Sequence, residues 1–174
     1  MVIKRVNRVQ NKPKKEGQID ISFGFIFGII IIIATLAIAF YVISHFMRLS
    51  RCSDTGLFYS DLQSEIDKAW ASSMTQKTFT GKLPGNINSI CFGNLTLGNP
   101  ANTSRTQYES LLRFKGLGKN VFLYPFTNAC NTQLANSLAE HVQIPRFFCV
   151  PVESGKVTIT LSKNSTSAYV LLSK

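Results

Sequence analysis

From Ile21 to Phe46 the chain is apolar at nearly every position, reading ISFGFIFGIIIIIATLAIAFYVISHF, with no Asp, Glu, Lys or Arg. A bilayer core about 30 Å thick is crossed by roughly 20 such residues in a helix, so the run is long enough to span. A secretory h-region is shorter, about 7–15 residues, and ends in small residues. This run ends instead in an aromatic cluster, Phe40, Tyr41 and Phe46. Isoleucine favours strands in water, but in lipid the helix prevails because it satisfies its own backbone groups.

Beyond the run the pattern becomes periodic. Ser53, Asp54 and Thr55 offer capping oxygens, and Phe58, Leu62, Ile66, Ala69 and Trp70 then recur as one stripe of an amphipathic helix ending near Ser72. Trp70 completes that stripe and is expected to anchor the core. Asp61, Glu65, Asp67 and Lys68 lie off it, and Glu65 and Lys68 are spaced to pair. From Thr78 the signals turn to strands. Thr78–Thr80 leads through Gly81 to a turn at Leu83-Pro84-Gly85-Asn86, and an imperfectly alternating strand follows at Ile87–Phe92. Gly98–Thr106 reads as a surface loop, Tyr108–Phe114 fits neither period cleanly, and Asn120–Tyr124 reads as a strand ended by Pro125. Asn131–Glu140 reads as a short helix with Leu134 and Leu138 on one side. Phe147–Val152, Lys156–Ser162 and Ala168–Ser173 read as a three-stranded antiparallel meander, turning at Glu153-Ser154-Gly155 and around Asn164. Pro151 marks a sheet edge or a bulge.

The expected fold class is α+β. One N-terminal transmembrane helix extends into an amphipathic helix packed on a small antiparallel β domain. The expected segments are a basic leader at 1–17, the membrane helix at 18–47 and an extracellular domain at 48–174.

Charge sets the orientation. Lys4, Arg5, Arg8, Lys12, Lys14 and Lys15 stand against Glu16 in the leader, a net +5. A basic flank on a first membrane helix stays in the cytoplasm. That anchor explains the tail without nucleic acid as a partner. The expected location is the cell membrane, crossed once, with the N-terminus cytoplasmic and the rest outside.

The four cysteines, Cys52, Cys91, Cys130 and Cys149, all lie beyond the run. An even number on the oxidising side predicts two disulfides. Spacing leaves three pairings open. Cys91 and Cys149 both fall in predicted strands, which favours joining them and leaving Cys52 to Cys130. Three N-x-S/T sequons, at Asn94, Asn102 and Asn164, lie on the same outer side and are candidate glycosylation sites.

The most specific local signal is Lys14-Lys15-Glu16-Gly17-Gln18, followed by Ile19-Asp20-Ile21-Ser22-Phe23 and the apolar run. Over residues 12–46 this resembles the class III signal peptide of archaeal type IV pilin-like proteins. The resemblance implies that a prepilin-type peptidase cuts between Gly17 and Gln18 and leaves the apolar helix in the mature protein. Asp20 and Ser22 stand where the family favours Ser and Glu. That Glu pairs with a neighbouring subunit's amine during assembly, and Asp20 carries the same charge two residues earlier. Gly24 and Gly28 form a small-xxx-small face, which lets membrane helices approach closely and suits self-assembly through the N-terminal helix.

Catalytic signals are lacking. No P-loop, G-x-G-x-x-G, G-x-S-x-G or H-E-x-x-H occurs. No CxxC occurs, and neither His45 nor His141 adjoins a cysteine, so zinc spacing is absent. Gly116-Leu117-Gly118 means only a turn. His141 stands alone in sequence, and Asp54, Asp61, Glu65 and Asp67 read as a solvated helix face. No catalytic residue, metal or cofactor is therefore expected. Two functions remain. The first is a pilin-like subunit of an archaeal surface filament or secretion-type assembly. The second is a single-pass anchored binding or adhesion domain that never polymerises.

Overall fold

The computed structural model describes residues 23–98 and 100–174. Helix α1 runs unbroken over Phe23–Ala71. Among the described residues eight strands follow: β1 (Thr75–Lys82), β2 (Ser89–Phe92), β3 (Val121–Tyr124), β4 (Asn136–Ser137), β5 (Val142–Gln143), β6 (Phe148–Pro151), β7 (Lys156–Lys163) and β8 (Val170–Ser173). A short helix, α2 (Arg105–Leu111), lies between β2 and β3. The fold is α+β, as the sequence pattern predicts. Internal contacts divide the chain after Val42.

Up to Val42, α1 is long and apolar enough to cross a membrane, and the most apolar stretch of α1 has none of its residues buried inside the protein. Its large side chains, such as Phe25, Ile30 and Phe40, are exposed. A helix that is hydrophobic all round is buried in something or spans a bilayer.

The second unit, Ile43–Lys174, holds the rest of α1 and two sheets. The sheet orders are β1-β7-β8-β5 and β4-β3-β2-β6. All neighbours are antiparallel except β5 and β8. Phe58, Leu62, Ile66 and Ala69 are buried in one cluster with Phe79, Ile159 and Leu161 of the first sheet and Ile90, Phe92 and Leu123 of the second. The helical stripe is thus covered by both sheets.

The second sheet is buried on its other face too. There Cys91 and Phe122 meet Tyr108, Leu111 and Phe114 from α2 and the 3₁₀ turn that follows it. Burial on both faces explains the near-continuous apolar runs Ile90-Cys91-Phe92 and Val121-Phe122-Leu123, because such strands need no alternation.

Five expectations change. Thr55 caps nothing. It lies inside α1, is buried, and its hydroxyl donates back to the Arg51 carbonyl at 2.9 Å. The expected loop at Gly98–Thr106 contains a 3₁₀ turn at Asn102–Ser104 and the start of α2, so Tyr108–Phe114 is helical. Asn131–Glu140 is not a helix. Asn131 Oδ1 caps the Leu134 amide, and Asn120 holds Ala139 at both its amide and its carbonyl. These side-chain bonds take backbone groups that a helix needs. The meander is split. β7 pairs with β8, but β6 pairs with β2 in the other sheet, where Pro151 sits on an edge strand. The turn at Ser154-Gly155 reverses the chain and hands it from one sheet to the other, while the free edge of β7 takes the whole length of β1. Trp70, finally, is not a core anchor, as shown below.

Gly81 lies inside β1 and has no room for a side chain. A Cβ there would stand 2.4 Å from a ring carbon of Phe58 and 2.9 Å from one of Phe79. An alanine normally strengthens a strand relative to glycine. Gly81→Ala is expected to do the reverse, costing about 1–3 kcal/mol by overpacking. Thermal unfolding checks this, and an unchanged or raised Tm would show that the Phe58 ring gives way freely.

Candidate functional site

Besides its apolar stripe, α1 carries a second one. Cys52, Tyr59, Gln63, Asp67 and Trp70 fall at spacings of seven, four, four and three residues, which places them along one side of the helix. Each is tied to chain far away in sequence. Cys52 is bonded to Cys130. The Tyr59 hydroxyl donates to the Leu134 carbonyl at 2.9 Å, and burial holds that phenol's pKa above its ordinary value. The Glu140 amide donates to Gln63 Oε1 at 2.9 Å. His141 Nδ1 lies 3.1 Å from Asp67 Oδ1, which also accepts from Gln63 Nε2 at 2.8 Å. Trp70 is 42 % exposed. Its ring stacks on His141 with centroids 3.9 Å apart, and its Nε1 donates to the Ala168 carbonyl at 3.0 Å.

The second stripe is therefore a lacing seam. It binds the irregular segment 130–141 to the helix by one covalent bond and a row of polar contacts. Lys163 finishes the helix by donating to the Trp70 carbonyl and, at 2.9 Å, to that of Ser72, where a cation suits the helix C-terminus. His141 is thus not isolated. Its partners lie 74 residues upstream at Asp67 and at Trp70, a separation no local pattern reports. The His141–Asp67 pair has no hydroxyl or thiol hydrogen-bonded to the imidazole among the described residues, so it lacks the nucleophile a relay requires.

The helix's charged face makes its own pairs. Glu65 accepts from Lys68 at 2.7 Å and from Lys77 of β1. Hydrogen bonds from these two lysines, Lys68 first, hold its carboxyl below the ordinary value. A lowered acid pKa stabilises the fold above the unfolded value, about 4.3, and that contribution fades as pH falls through the folded value. Exposed pairs contribute at most about 1 kcal/mol. Glu65→Gln should therefore lower Tm slightly at neutral pH and by less at pH 3, where more of the wild-type carboxylate is protonated. Parallel melts at both pH values check this, and a deficit undiminished in acid would assign the effect to packing.

Cys91 and Cys149 stand directly opposite each other on β2 and β6, with Cα atoms 4.0 Å apart, and are bonded. The Cα atoms of Cys52 and Cys130 are 5.0 Å apart. Gly24 is exposed on α1, and a Cβ at Gly28 would meet nothing within 4 Å. Gly17, Gln18 and Asp20 lie outside the described residues.

The three sequons differ. Asn94 is exposed, and its Oδ1 accepts both the amide and the hydroxyl of Thr96, at 2.8 and 2.7 Å. Asn164 is exposed at the β7–β8 turn. Asn102 is exposed, but its sequon's Ser104 is buried and its hydroxyl accepts from the Cys149 amide at 2.9 Å. Among the described residues no group of three or more His, Cys, Asp or Glu is placed to hold a metal.

No protein-family model matches the sequence, no curated protein matches it, and no solved structure matches the fold.

Proposed function

We propose that the chain is a pilin-like subunit of an archaeal surface filament or secretion-type assembly, held in the membrane and packed in the assembly through its N-terminal hydrophobic helix. The observation that carries this reading is α1 itself. It is one helix whose first part presents apolar side chains all round while its later turns are buried under two sheets. The open space around Gly28 gives a second helix somewhere to approach. The Gly17-Gln18 junction before the apolar run supplies the processing site and a prepilin-type peptidase as partner. The basic leader puts the N-terminus in the cytoplasm, and the bonded cysteines suit a domain outside. Exposed Asn94 and Asn164 are the sequons open to glycosylation. The subunit's role is structural rather than catalytic.

The test is the intact mass of the protein extracted from its native membrane. A mass lacking residues 1–17, together with recovery of the chain in sheared surface filaments, is the expected result. A full-length, monomeric protein would favour the rival, a single-pass anchor displaying a binding domain.

A further inference from the structure

Two exposed surfaces of the two-sheet domain carry one pattern with opposite charge. On α1, Asp54, Leu57 and Asp61 follow at spacings of three and four residues, which places them along one side of the helix. All three are exposed, Leu57 at 58 %. They line a recess of about 330 Å³ against the end of β1, where Gly81 and the exposed Lys82 form the other wall. Among the described residues neither carboxylate has an ion-pair or hydrogen-bond partner, Lys82 included.

The other surface is the loop after α2. Residues 112–119 read LRFKGLGK, with three cations and no carboxylate. Leu117 stands between Gly116 and Gly118, both in the left-handed backbone region at φ 89° and 66°, and is 56 % exposed. Lys115 and Lys119 flank it. Both are exposed, and neither ammonium has a partner among the described residues. Arg113 lies over the Phe126 ring, 4.6 Å from its centroid, which holds its guanidinium beside the loop.

These surfaces cannot meet within one chain. α1 covers one face of the second sheet, at Ile90, Phe92 and Leu123. The loop is rooted on the other face, where Phe114 packs on Phe122. The exposed side of α1 and the loop therefore look away from each other, across the sheet.

We infer that loop 112–119 of one copy docks on the α1 surface of a second copy. Leu117 enters the recess beside Leu57, and Lys115 and Lys119 pair with Asp54 and Asp61. Charge and shape select this occupant. A lysine–leucine–lysine loop meets an aspartate–leucine–aspartate face, and the contact takes two exposed leucines out of water. Because two different patches meet, the contact is heterologous and repeats from copy to copy unless the rotation closes a ring. The inference rests on the assembly reading above and names a contact between two-sheet domains that it leaves open.

The experiment places a photo-reactive phenylalanine analogue in place of Leu117 in the full chain, in its native membrane, and maps the linked peptides by mass spectrometry. A link between two copies, ending within 54–61 or 80–82, is the expected result. Lys115→Glu with Lys119→Glu should cut its yield about tenfold, since like charges then face each other. Asp54→Lys with Asp61→Lys should do the same. All four changes together should restore the yield, which a folding defect would not allow. None of the four side chains is paired among the described residues, so every variant should melt with the wild type. No link between copies, a link confined to lipid or to a different protein, or a quadruple variant no better than the doubles would each overturn the inference. Intact mass from the same membranes separates the two failures. A chain cut before Gln18 and present in filaments, yet without this link, keeps the assembly reading and removes only the contact.

Discussion

Replacing Cys91 and Cys149 together by alanine is expected to cost the two-sheet domain about 4–5 kcal/mol. The bond closes a chain separation of 58 residues, and loss of that constraint on the unfolded chain is worth about 4 kcal/mol. Cys91 is also fully buried between β3 and β6, so its removal leaves a small void and adds to the loss. The Cys52–Cys130 bond closes 78 residues, for a similar chain term, but both of its residues are only half-buried. Its removal should cost less in packing and should act first on the seam, loosening segment 130–141 before the sheets. A domain of this size has about 5–15 kcal/mol in hand, so losing both bonds should abolish a cooperative transition at 37 °C. Denaturant unfolding of the full chain in detergent reads the energies, and hydrogen exchange reads where the chain opens. Alkylation before reduction should label none of the four cysteines. Labelling of all four would remove both bonds and the oxidising compartment with them.

What the sequence disclosed follows the range of its signals. The apolar run was legible because length and composition alone decide whether a helix can span. The buried stripe Phe58, Leu62, Ile66 and Ala69 was legible because it repeats within four residues. Trp70 has the same spacing but lies at the edge of the stripe, where one step of rotation carries its ring from the core to His141. The second stripe escaped notice because Cys52, Tyr59, Gln63, Asp67 and Trp70 share no chemistry. Only their distant partners make them a set. The turn at Ser154-Gly155 was equally visible, but a turn reports that the chain reverses and says nothing of which strand it will pair with. The eight-residue register between β1 and β7 decided that, across the length of the domain.

The largest effect is expected at the leader. If the pilin-like reading holds, the peptidase cuts after Gly17, because a site at the cytoplasmic end of the apolar run needs a small side chain there, and glycine is the smallest. Gly17→Leu should then leave all of the protein uncut, still in the membrane and absent from filaments. Cutting frees the amine of Gln18, two residues from Asp20. In an assembly of packed apolar helices, that amine on one subunit and the Asp20 carboxylate on its neighbour would each be costly to bury alone. Breaking such a pair by removing one partner costs on the order of 3–5 kcal/mol per contact, and each contact recurs along a filament. Asp20→Ala should therefore insert and be cut like the wild type, while filaments become scarce or fragile. Asp20→Glu, which keeps the charge, should restore part of the yield. Mass measurement reports the cut, and sheared-filament yield reports assembly. Mature protein that still begins at Met1 in its native host would reject processing and leave a plain membrane anchor. Normal filaments from Asp20→Ala would keep the pilin-like subunit but assign the neighbour contact to another residue.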